Sequence, residues 1–190
     1  DMVTRLIATI GENITLRRTA ALKVESGVVV PYMHNAVKDG LGKIGVLVAL
    51  ESDGDVAKLE EFGKKIAMHI AATAPAALSE GDIPAERIER ERGIILESIK
   101  EDPKLAGKPQ NVIDGAVTGK LRKVLQDIVL TKQAFVMNPD QTIEQAVEET
   151  AKALGQPVKL AAFVRFQLGD GVEKKTDDFA KEVAALTGQG

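Results

Sequence analysis

The chain has no cysteine, no tryptophan and only two histidines among its 190 residues. Without cysteine there is no disulfide, no thiolate metal site and no thiol nucleophile, a composition that fits a reducing compartment. Two isolated histidines are too few for a typical zinc site. One Tyr and five Phe supply little material for stacking on nucleic-acid bases, and a net charge of −3 lacks the basic excess of a general nucleic-acid binder. Long hydrophobic runs are missing as well. The longest, Ile66 to Leu78, is too short to span a bilayer and contains His69. No serine sits in a nucleophile elbow. Nothing in the pattern asks for an enzyme, a metal or a cofactor.

What is present is ordinary for a globular protein: 44% hydrophobic and 28% charged residues, enough for one core and an appendage. Leu6, Ile7 and Ile10 fall at helical spacing, and Gly11 ends that helix. Ile14, Leu16, Arg18, Ala20 and Leu22 then alternate, which predicts a strand. The chain thus begins inside an element rather than at a cap, which predicts a fragment. Val28 to Tyr32 reads as a second strand, with Pro31 marking an edge or a bulge. Ile44, Val46, Val48 and Leu50 form one face of a third. Asp53-Gly54 turns the chain into a helix over 56–73, with Leu59, Phe62, Ile66 and Ile70 on one face.

From Ser79 the character changes. A charged helix runs from Ala85 to about Asp102, with Ile88, Ile95 and Ile99 at spacings of seven and four. Pro103, Gly107 and Pro109 break it. A second helix, from about Gln110 to Leu130, carries Ile113, Val117, Leu121, Val124 and Ile128. Two narrow apolar stripes joined by a short turn predict an antiparallel helical hairpin of coiled-coil type. Thr142 and Gln145 form a capping box for a helix to about Leu154. Val158 to Leu168 is the clearest strand. A short helix after Thr176-Asp177 carries Phe179, Val183 and Leu186. The expected fold class is α+β: a small antiparallel sheet packed with helices, with the helical hairpin inserted.

Several motifs invite chemistry and weigh against it on inspection. Gly40-Leu41-Gly42-Lys43-Ile44-Gly45 spells the dinucleotide fingerprint, but its third glycine lies inside a strand and no helix follows. A hairpin loop is expected. Gly115 and Gly119 suggest close approach within the helical hairpin. Lys120, Arg122 and Lys123 read as a solvated face. His69, between Met68 and Ile70, reads as a satisfied core histidine. His34 is expected near the surface, after a strand and before a loop over 35–42.

Five segments go further: Ile10-Gly11-Glu12-Asn13-Ile14 with Arg17-Arg18, Lys43 to Val48, Lys65 to Ala72, Gln133 to Met137, and Phe163 to Phe166. In order and spacing they resemble bacterial translation elongation factor Ts, and Gly169 to Ala185 resembles that family's carboxyl-terminal module. The resemblance implies a cytoplasmic guanine-nucleotide exchange factor for elongation factor Tu, acting in translation elongation on its GDP-bound or nucleotide-free form. It places Ile10, Gly11 and Asn13 at a partner-facing turn and His34 at a partner-facing position. It implies a remnant of the amino-terminal core subdomain over 1–26, and a carboxyl-terminal core subdomain over 27–82 and 134–168. A dimerisation hairpin over 83–133 and a carboxyl-terminal helical module over 169–190 complete the division. A homodimer through the hairpin is a further implied partner; nucleic acid and membrane are not. The family's amino-terminal module and its Thr-Asp-Phe-Val wedge have no counterpart in these residues. Two other readings remain beside it: an interaction module that dimerises without exchange activity, and a nucleotide-binding enzyme using the glycine loop.

Overall fold

Val28 and Val30 are buried on one face of a strand, β1 (Gly27–Lys38), and the chain turns at Asp39-Gly40 into β2 (Leu41–Glu51). Val46, Val48 and Leu50 of β2 are buried as well. A computed structural model describes residues 1–105 and 107–171 of the chain. In it β2 is the central strand of an antiparallel sheet, order β1-β2-β5 with β5 spanning Lys159–Gln167, and Val30 lies opposite Val48 and Val48 opposite Phe163. Pro31 sits in β1 at the sheet's edge, as its missing N–H requires.

One helix, α2 (Val56–Thr73), covers the sheet. Asp55 caps it by accepting from the Lys58 N–H at 3.0 Å. Leu59, Phe62, Ile66 and Ile70 recur at three- and four-residue steps and are buried. Ala74, in the left-handed region, and Pro75 end the helix. Gly63 is where helix and sheet come closest: a Cβ there would meet Val30 Cγ2 at 2.6 Å. Leu130, Phe135, Ile143, Ala146 and Leu160 complete the same core.

The helix α3 (Ala85–Lys100) and the helix α4 (Gln110–Ile128) pack on each other around a separate small core of Ile95, Ile99 and Val117. Ile88, near the start of α3, clusters instead with Leu125 and Ile128, at the end of α4, beside Ala77, Ile83 and Val129. The two helices therefore run in opposite directions. A two-stranded ribbon, β3 (Ala134–Phe135) with β4 (Asn138–Thr142), leads into α5 (Ile143–Leu154) and then β5 (Lys159–Gln167). The Thr142–Gln145 capping box is formed on both sides, at 2.8 and 3.2 Å. The α+β class stands as expected.

Four expectations are corrected. Residues 14–22 form no strand, because alternation supplies only a pattern and no described strand pairs with them. The first helix, α1 (Met2–Ile10), is capped by Asp1, whose carboxylate accepts from the Val3 N–H at 3.2 Å. The loop expected over 35–42 is mostly strand: β1 continues to Lys38, with a register shift between Ala36 and Lys38 that absorbs the left-handed Asn35. Gly115 and Gly119 mediate no close approach among the described residues, since a Cβ at either would meet nothing within 4 Å. The helix expected around Phe179, Val183 and Leu186 lies outside the described residues.

Candidate protein-binding surface

α1 buries none of its side chains. Met2, Leu6 and Ile10, four residues apart, are 72%, 41% and 57% exposed and leave an apolar stripe uncovered. The stripe ends at a turn. Gly11 takes φ +78°, and its N–H donates to the Ile7 carbonyl at 2.8 Å. A side chain is disfavoured in that conformation, so glycine sets the direction in which the chain leaves. Ile10, Gly11 and Asn13 thus share one exposed turn.

His34 lies on a different element. It is exposed, as expected, but lies within β1 opposite Ile44 rather than after the strand. Tyr32, two residues earlier on the same face, places its hydroxyl 3.0 Å from His34 Nδ1. Among the described residues no hydrogen bond joins His34 to the Ile10–Asn13 turn. Tyr32 was not singled out by the sequence reading, although a spacing of two on a strand was the signal that pairs it with His34. Val136 and Met137 were likewise missed as surface residues. They are 49% and 43% exposed at the turn between β3 and β4.

The other motifs resolve into structure. Gly40 sits in the β1–β2 turn, and Gly42 and Gly45 lie within β2. The next helix begins only at Val56, so no helix N-terminus faces the glycines. His69 is fully buried, with both ring nitrogens engaged, by Gln133 and by the Val136 N–H. Burial pushes its pKa down, outweighing the hydrogen bond to Gln133 that favours the charged form. Lys120, Arg122 and Lys123 are exposed. Among the described residues no group of three or more His, Asp or Glu is placed to hold a metal ion. No described helix is long and apolar enough to cross a membrane. A cavity of about 580 Å³ lies between the α2–α3 connection and β5, with Asp82, Phe163 and Arg165 among its lining.

Set beside known proteins, residues 1–170 match the family described as Elongation factor TS. The chain belongs to the elongation factor Ts family. The elongation factor Ts of Caulobacter vibrioides is 57% identical over 189 residues, covering 100% of this chain and 59% of that relative. The elongation factor Ts of Rhodospirillum rubrum is 54% identical over 183 residues, 96% of this chain and 58% of the relative. That of Bartonella henselae is 52% identical over 179 residues, 94% of this chain and 57% of the relative. The chain therefore spans a little under three fifths of the length of these curated elongation factor Ts relatives.

Proposed function

We propose that this chain is part of a cytoplasmic guanine-nucleotide exchange factor for elongation factor Tu, supplying binding surface in translation elongation. Membership of the elongation factor Ts family carries the reading. The exposed turn at Ile10, Gly11 and Asn13 and the exposed His34 on the neighbouring sheet are its contact residues.

Exchange of this kind makes and breaks no covalent bond, and it needs no cofactor from the factor. The factor binds the nucleotide-free partner more tightly than the GDP-bound one. By linkage, it weakens GDP on the partner by the same factor by which GDP weakens the complex. A surface that bound both states equally would accelerate nothing. The family's Thr-Asp-Phe-Val wedge, which would supply most of the difference between the two states, is not among the 190 residues. The contribution assigned to this chain is affinity and orientation. Stopped-flow release of a fluorescent GDP analogue from elongation factor Tu tests it. The chain should bind the nucleotide-free partner yet accelerate release far less than a factor carrying the wedge. Equal acceleration at equal concentration would move the exchange step into residues 1–190.

The division into a core over 27–82 and 134–168 with a coiled-coil insertion over 83–133 belongs to the same proposal. So does a second reading, a module that pairs with another copy of itself through that insertion. One observation favours it: Ile94 of α3 and Val112 of α4 are 56% and 41% exposed. Sedimentation of the chain across a concentration series separates a monomer from a pair.

A further inference from the structure

From Glu12 to Val24 the chain runs without helix or strand. Segments of that length inside a folded domain are usually functional when ordered. This one is fastened. At its far end Ser26 meets the end of β2, where its carbonyl accepts from the Ser52 N–H at 3.3 Å. In its middle, two consecutive side chains reach the other end of the sequence. Arg17 Nη1 donates to the carbonyl oxygen of Asp170 at 2.9 Å. The Arg18 guanidinium carbon lies 4.8 Å from the centroid of the Phe166 ring. The turn that receives Arg17 is built for it. Gly169 and Gly171 have φ +87° and +66°, and a Cβ at Gly171 would come within 3.0 Å of the guanidinium.

Asn13 precedes Arg17 by four residues, which span at most about 14 Å of extended chain. Fixing Arg17 therefore limits where the Ile10–Asn13 turn can go. We propose that Arg17 and Arg18 are positioning residues for that turn. They clamp the extended segment to the end of β5 and the turn after it, and hold Ile10, Gly11 and Asn13 at a set offset from the sheet that carries His34. The proposal rests on the assignment of that turn to elongation factor Tu. Neither arginine touches the partner in this scheme. Each acts by reducing the freedom the turn would lose on binding.

The test is calorimetric affinity of the chain for nucleotide-free elongation factor Tu, together with backbone ¹⁵N heteronuclear NOE values over residues 10–22. Arg17→Ala and Arg18→Ala should each weaken binding about two- to fivefold, the scale of one net hydrogen bond for the first and of an exposed cation–π contact for the second. Phe166→Leu should weaken it as Arg18→Ala does, and the two together no further. Arg18→Lys, which keeps a cation for the ring, should retain most of the affinity. NOE values over the segment should fall in both alanine variants while the melting temperature of the sheet stays put. Lys23→Ala, an exposed residue of the same charge, controls for lost charge alone. Alanine variants that bind no worse than Lys23→Ala, or NOE values that do not change, overturn the clamp. If the unsubstituted chain fails to bind, the partner assignment falls as well. The clamp is then rejected as a positioning device for that partner, and the NOE values say only whether the fastening exists.

Discussion

His69 and Gln133 meet in the core, Nε2 to Oε1 at 2.8 Å, across 64 positions of sequence. The Val136 N–H donates to Nδ1 at 3.3 Å, so Nδ1 is the acceptor and Nε2 carries the proton. Gln133 Nε2 in turn donates to the Asp127 carbonyl at 2.6 Å, tying the last turn of α4 to the sheet domain. The network has acceptor room for a neutral imidazole only. A second proton on the ring would set a donor against the Val136 N–H.

A pH dependence follows from this. The folded pKa of His69 lies below its ordinary value of 6.5 because burial disfavours the charged form. The unfolded chain therefore takes up a proton first as pH falls. The stability tied to the neutral ring is fully present above about pH 6.5 and is lost as pH falls from there toward the lowered folded value. Urea midpoints at pH 7.5 and 5.5 should differ in that direction. His69→Gln should flatten the dependence; an unchanged slope in that variant would assign it to other groups.

Binding should depend on the exposed turn and on His34. Ile10→Ala and His34→Ala should each cost about 1–3 kcal/mol of affinity for elongation factor Tu, the usual range for an interface anchor, with thermal unfolding unchanged. Calorimetry with both variants checks it. Affinity equal to the unsubstituted chain in each would remove them from the contact surface.

Glycine to alanine should have opposite signs in two helices. At Gly63 the new Cβ would stand 2.6 Å from Val30 Cγ2, so overpacking of about 1–3 kcal/mol should outweigh the gain in helix propensity. At Gly115 and Gly119 the space is open, and each alanine should stabilise α4 by about 0.5–1 kcal/mol. Denaturant titrations of the three variants measure this.

The helix pair should be removable if the cut respects the core. Leu130 is fully buried with the sheet residues, whereas Ile88 clusters with Leu125 and Ile128. Deleting residues 89–124 and joining the ends with a short glycine linker should leave cooperative unfolding of the sheet intact. Extending the deletion through Leu130 should destabilise it by about 2–5 kcal/mol or more, as for a buried leucine truncation. Circular dichroism melts of both deletions decide the point.

The helices were legible because their period is self-contained. Leu59, Phe62, Ile66 and Ile70 mark a face without reference to any partner, and Pro75, Thr142 and Gly155 mark ends by local chemistry. Strands were legible only where the pattern coincided with a partner. Ile14 to Leu22 alternates as well as β5 does, yet the ladder closes on β1, β2 and β5 and leaves that segment outside. The β3–β4 ribbon went unread because Asn138-Pro139-Asp140 looks like loop and Ala134-Phe135 is two residues long. Of the surface, Ile10, Gly11, Asn13 and His34 came from resemblance; exposed turns carry no periodicity. The Arg17–Asp170 hydrogen bond joins residues 153 apart, a distance at which single-sequence pattern is silent.

Pro31 pairs through its own strand with Leu47, so its nitrogen can only face away from β2. The rim of the sheet on that side therefore lacks a donor at its middle. A second molecule laying a strand along β1 would find its ladder broken there. Copies of this chain are thus steered away from edge-to-edge accretion along β1.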